Sequence, residues 1–198
     1  MKNYQNVNMQ NKEVLSLGKA SGLRRMIAYL IDYFIATIIS SIPIVLIAST
    51  LLNTKDVGIK LKVLPFSWAI IAGILGILFY FAYFFICELK IYKGQTLGKR
   101  LVRLKVVKDD GSDVDIWTLI KREVIGMMVI EGFLSGASFY IYEMIEYGTG
   151  ISLQLVITYG FEIITTVSIL FGIFSIRKKM FHDYIAKTHI ISVSKDAQ

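Results

Sequence analysis

Phe66-Ser67-Trp68-Ala69-Ile70-Ile71-Ala72-Gly73-Ile74-Leu75-Gly76-Ile77-Leu78-Phe79-Tyr80-Phe81-Ala82-Tyr83-Phe84-Phe85-Ile86-Cys87 runs for 22 residues without a charged side chain. A helix rises about 1.5 Å per residue, so about 20 residues cover the roughly 30 Å of a bilayer's hydrocarbon core. Pro65 suits the first turn, Trp68 suits a membrane interface, and Glu88 and Lys90 end the run. The stretch predicts a membrane-spanning helix over 66–87. The composition agrees: of 198 residues 55% are hydrophobic and 19% charged, against about 45–50% and about 25% in soluble domains. So apolar a chain is not intrinsically disordered. One cysteine, Cys87, excludes an internal disulfide framework, and two histidines, His182 and His189, leave little for a multi-histidine metal centre.

Upstream, Met26 to Leu52 is apolar for 27 residues, interrupted only by the charge of Asp32. It exceeds the h-region of a signal peptide and predicts an uncleaved first span over 26–52, with Pro43 tolerated as a kink. Residues 1–23 are polar and predict an N-terminal cytoplasmic segment. Downstream lies a polar block, Ile91 to Arg122. Val102, Leu104 and Val106 alternate there with Arg103, Lys105 and Val107, and Asp110-Gly111 is a tight-turn dipeptide. With Val114 to Ile116 returning, the block predicts a small β-hairpin between the second and third helices. Val124 to Tyr147 and Ile151 to Ile176 predict spans three and four, joined by Gly148-Thr149-Gly150. The expected fold is an all-α membrane protein, a four-helix transmembrane bundle over 24–193 with a short tail at 194–198.

Charge placement sets the expected topology. Of the 22 Lys and Arg, five precede the first span, nine lie between spans two and three, and five follow span four. Only Lys55, Lys60 and Lys62 fall in the loop between spans one and two, and none in the turn after span three. Four crossings with both termini cytoplasmic obey the positive-inside rule, and anionic lipid headgroups at that face, not nucleic acid, account for the net charge of +7. A multi-pass location in the cell membrane is the expectation.

Arg25 and Asp32 stand seven residues apart, on nearly one helical face, with Ala28 between them. A charge as deep as Asp32 needs a partner. Both ends being cytoplasmic, Phe181-His182-Asp183-Tyr184 would emerge beside Arg25. The expectation is an Arg25–Asp183 ion pair, with His182 or a water satisfying Asp32. Arg25-Met26-Ile27-Ala28-Tyr29-Leu30-Ile31-Asp32 resembles the opening signature of the RDD family of bacterial membrane proteins. Gly94-Gln95-Thr96-Leu97-Gly98-Lys99-Arg100-Leu101-Val102-Arg103-Leu104-Lys105-Val106-Val107 resembles its most recognisable stretch, and His182-Asp183-Tyr184-Ile185-Ala186-Lys187-Thr188 its third block. The resemblance places the family's arginine and two aspartates at Arg25, Asp32 and Asp183. It implies a multi-pass membrane protein, and cation–proton exchange as proposed for some members. Ala186-Lys187-Thr188 departs from the commoner Ala-Gly-Thr.

Gly94, Gln95, Thr96, Gly98, Lys99 and Arg100 imitate a phosphate-binding loop, but the glycine spacing is one residue short and Arg100 replaces the Ser/Thr. The segment reads instead as a turn with a basic contact to headgroups. Glu131, Ser135, Ser138, Tyr142 and Glu146 share one helical face, as do Gln154, Thr158, Glu162 and Thr166. If the faces meet, they form either a hydrogen-bonded contact or a cation or proton path, with Asp32, Glu131 and Glu162 as its candidate residues. Two functions stay open. One is exchange of a small cation for protons, which in so small a bundle calls for a homo-oligomer. The other is a non-transporting partner that binds, regulates or shields another membrane protein or a membrane-active peptide, with Gly132 and Gly136 offering a docking face. No metal or cofactor motif and no nucleophile signature is present, so no enzyme is expected.

Overall fold

The computed structural model describes residues 20–53, 60–132, 134–152, 154–175 and 178–194, the side chains of 154–158 excepted. Helix α1 spans Gly22–Leu52 and α2 spans Phe66–Phe85, continued by wider i→i+5 turns over Ile86–Ile91. These two are long and apolar enough to cross a membrane. Their contact follows from the sequence of α1. Ala28, Asp32, Ala36, Ser40, Ile44 and Ala48 are its buried residues at every fourth position, and most are small. Small side chains let a neighbouring helix approach closely. Tyr80, Tyr83 and Phe84 of α2 pack into that stripe, while Leu30, Phe34, Ile38 and Leu46 point outward, where only lipid would cover them.

After a short helix α3 (Leu97–Leu101), strand β1 runs Leu104–Lys108. Its partner is not the predicted return strand at Val114–Ile116. Asp110-Gly111 does turn, with the Gly111 N–H donating to the Lys108 carbonyl and Val107 bridging Asp113. Asp115, however, caps a new helix, its carboxylate accepting from the Thr118 N–H at 2.8 Å, so Ile116 goes into α4 (Ile116–Leu119). Strand β1 pairs antiparallel with β2 (Thr188–Ser192) in the register Leu104↔Ser192, Val106↔Ile190 and Lys108↔Thr188. The expected hairpin is therefore a sheet made by the two distant motif segments. Local turn propensity carried no information about β2.

The predicted third span is broken. Wide turns continue α4 over Ile120–Ile130, the Glu131 N–H bonding the Gly126 carbonyl at 2.9 Å, and helix α5 begins only at Gly136 and ends at Thr149. Gly132 sits in the gap with φ +47°, against the Phe161 ring where a Cβ would collide. Helix α6 spans Gln154–Phe174, α7 spans Phe181–Ala186, and β2 follows. The chain is mostly helical, with two candidate membrane helices and a two-stranded sheet.

Candidate functional site

At one end of α1, segments distant in sequence converge on buried charges. The Asp32 carboxylate, 2% exposed, accepts from three donors: the Tyr83 hydroxyl at 2.6 Å, the Thr96 hydroxyl, and the Gly98 N–H at 2.8 Å. Gly98 is required for that approach, because a Cβ there would press on the Ala28 carbonyl and lie 2.9 Å from Asp32 Oδ1. Beside it, Lys99 donates to Glu88, and both are buried. Burying a charge without a partner is prohibitive, and each of these has one.

Asp183 is the second hub. Arg122 donates to its Oδ1, and Oδ2 accepts from Arg25 Nη2 at 2.7 Å and from the Met180 N–H at 3.1 Å. Arg122 also donates to the Thr188 hydroxyl at 3.0 Å, tying α4's continuation to the first residue of β2. Burial alone would raise the Asp183 carboxyl. Arg122, His182 and Arg25 outweigh it and hold Asp183 well below the usual carboxylate range. Next to it, the His182 ring donates from Nδ1 to Glu131 Oε2 at 2.8 Å, and Glu131 Oε1 accepts from the His182 N–H and from Ser168. Arg24 clamps the open end of the sheet, its guanidinium donating to the Val102 and Arg103 carbonyls and to Ser192 Oγ.

A cavity of about 620 Å³ lies against these hubs. Its lining mixes Arg25, Asp32, Lys99, Arg122, Glu123 and His182 with apolar residues that include Leu23, Met26, Leu30 and Ile173. Glu123 is 2% exposed, and its Oε1 lies 3.3 Å from Arg122 Nε without hydrogen-bond alignment; both atoms lack a hydrogen-bond partner.

These three segments lie within a stretch that matches a known family: the model described as RDD family matches residues 19–187. The chain belongs to the RDD family. No curated protein and no solved structure matches it.

In this RDD chain the predicted Arg25–Asp183 pair forms. The predicted role of His182 does not: it serves Glu131, and Asp32 is instead satisfied by α2 and α3. The reason is capacity, since the Asp32 carboxylate already holds three donors from neighbours fixed in place. In the Gly94–Arg100 segment, expected to offer a basic contact to headgroups, Lys99 is turned inward and Arg100 is partly exposed. Gln95 and Lys99 are buried, Gln95 donating to the Leu104 carbonyl at 2.8 Å, and the Arg100 guanidinium stands 4.4 Å over the Tyr92 ring. Gly94 takes a left-handed φ of +85°.

Only part of the polar seam exists. Glu131 meets Thr165 and Ser168, because Phe161, Thr165 and Ser168 form the inward face of α6 rather than the predicted set. The side chains of Gln154 and Thr158 lie outside the described residues, Thr166 is exposed, and Glu162 is half-buried with no hydrogen bond or ion pair among them. Glu146 pairs with Lys62 at 2.9 Å instead. Gly132 and Gly136 face Phe161 and Tyr80 inside the chain, so they offer no docking face. Arg122, Glu123, Glu88 and Tyr83 are the site residues that sequence reasoning missed. The adjacent Arg122-Glu123 pair opening an apolar stretch was the one signal for two of them.

Proposed function

We propose that this RDD protein crosses the membrane four times, with both ends at the cytoplasmic face, and exchanges a cation for a proton at Glu123. The observation that supports this reading is the cavity beside α1, lined by Glu123, a buried carboxylate whose Oε1 accepts no hydrogen bond and meets Arg122 Nε only out of alignment at 3.3 Å. Asp32 and Glu123 line it, and three further buried carboxylates, Glu88, Glu131 and Asp183, pair with the lining residues Lys99, His182 and Arg122. The fixed cations near them, Arg25, Lys99 and Arg122, number fewer, and each already serves a carboxylate. A buried carboxylate that lacks a donor is stabilised by a proton or by a cation, and the two compete for it. Asp32 acts in this reading as a structural hub. Glu162 does not line the cavity.

The test is the purified protein in liposomes carrying a pH-sensitive dye. Sodium added to one side dissipates an imposed pH gradient in the wild type and in Glu162→Gln, and fails to do so in Glu123→Gln. Wild-type protein that reconstitutes folded yet shows no cation-dependent flux, or Glu123→Gln protein with undiminished flux, overturns the reading.

A further inference from the structure

Helix α6 carries two lengthwise seams, and this chain packs against one of them. Phe161, Thr165, Ser168 and Gly172 recur in steps of four, three and four and meet Glu131, Gly132 and Met180. On the far side Tyr159, Ile163, Thr166, Leu170 and Ile173 recur in steps of four, three, four and three. All five are exposed, Tyr159 by 62% and Ile163 by 65%. A repeat of about 3.5 residues keeps one face of a helix turned toward a second helix along its length.

Lipid covers the apolar members of this outer seam, but it cannot serve the polar ones. Glu162 flanks the seam, with Thr166 one turn after it and Tyr159 just under one turn before it. None of the three makes a hydrogen bond or ion pair among the described residues. At about 1.5 Å per residue Glu162 lies about 12 Å from Gln154 and about 18 Å from Phe174 along the helix, beyond the reach of its side chain to either end. Hydrocarbon offers neither donor nor acceptor, and ionisable groups at such depth face a protein interior and are paired. On this side of α6 the chain itself supplies no such interior.

The patch complements itself. Glu162 accepts from a hydroxyl, and Thr166 and Tyr159 each carry one, so no opposite charge is needed across the contact. A two-fold dimer uses the same patch on both copies. We infer that two copies of this chain pair in the bilayer through the outer seams of α6, with Glu162 of each copy accepting from the Thr166 hydroxyl of the other. Ile173 belongs both to the seam and to the cavity lining, so the second copy's helix borders the cavity. The inference goes beyond the exchange reading and rests only on its placing of α6 across the membrane.

The experiment counts subunits by single-molecule photobleaching of the full chain in liposomes over a lipid dilution series. The dye sits on Ser194→Cys in a Cys87→Ser background. That protein is dimeric until diluted. Adding Glu162→Leu raises the protein density needed for half-association at least tenfold, and adding Glu162→Gln, which keeps an acceptor oxygen, leaves it within about twofold. A second arm does not depend on removing the carboxylate. On Cys87→Ser alone, Ile163→Cys and Leu170→Cys give disulfide-linked dimers on mild oxidation, and Ile164→Cys, exposed on another flank of α6, does not. Monomers at every dilution, undiminished association in Glu162→Leu, or equal cross-linking at Ile164→Cys overturns the inference. Glu162→Gln behaving like Glu162→Leu also overturns it, because an ionised pair with another chain's cation is then at work. Dimers that carry no cation flux support the contact and overturn exchange, and monomers that carry flux overturn the contact alone. Thr149→Cys and Ser194→Cys labelled from the same side show that α6 does not cross, which overturns both.

Discussion

Lys187 shows what a single residue contributes at this site. It ends α7 with φ +52°, a left-handed conformation that strains any side chain with a Cβ. Lys187→Gly is expected to stabilise the fold by about 1 kcal/mol, read as a raised Tm in thermal unfolding. Asp183 contributes far more. Removing one partner of a buried ion pair typically costs about 3–5 kcal/mol, so Asp183→Asn, which leaves Arg25 and Arg122 without their shared carboxylate, falls in that range. The Asp183 carboxyl is held below its unfolded value. Its contribution is therefore complete above the unfolded pKa, about 3.9, and is lost as pH falls toward the lower folded value. The stability gap between wild type and Asp183→Asn should stay constant from pH 8 to pH 5 and shrink only below about pH 4. A gap that shrank already near pH 6 would assign the pH response to another group.

Among the elements, the sheet and the broken third segment decide the architecture. Pairing β1 with β2 joins the stretch after the second membrane helix to the last described strand, and Arg24 and Arg122 fasten it to α1 and to α4's continuation. In an antiparallel pair, opposed Cα atoms lie about 4.5–5.5 Å apart, within disulfide range. Mild oxidation of a Cys87→Ser background carrying Lys105→Cys and Ile191→Cys should give a cross-linked chain, seen as a mobility shift that reductant reverses. Lys105→Cys with Asp115→Cys, the pairing of a local hairpin, should not cross-link. The break at Glu131–Ser135 has an electrostatic origin as well as a steric one: the Glu131 carboxylate turns toward His182 and Ser168 while Gly132 yields to Phe161. Wide helical turns often mark functional sites, and both such stretches here carry the buried charges, Glu88 in one and Arg122 and Glu123 in the other.

For the whole molecule, the arrangement of the hubs bears on the topology. Asp183 reaches Arg25 only if the end of the chain and the start of α1 share one face of the membrane. In single-cysteine variants of Cys87→Ser, an impermeant thiol reagent should label Thr54→Cys and Thr149→Cys from outside. Ser16→Cys, Ser112→Cys and Ser194→Cys should react only after permeabilisation. A Ser194→Cys protein labelled in intact cells would remove the four-crossing topology.

The sequence by itself determined the membrane character, the extent of α1 and α2, the family blocks and the pairing of Arg25 with Asp183. The first three are written in hydropathy over long windows or in motif spacing, which are properties of neighbouring residues, and the pairing follows from the charge placement that puts both ends at one face. Only the tertiary structure decided that β1 finds its partner 80 to 88 positions away, that His182 serves Glu131, and that Glu88, Arg122 and Glu123 join the site. Those outcomes depend on which donors reach a buried carboxylate first and which side chains are left to share a wall. That competition among distant groups exists only once the chain is packed.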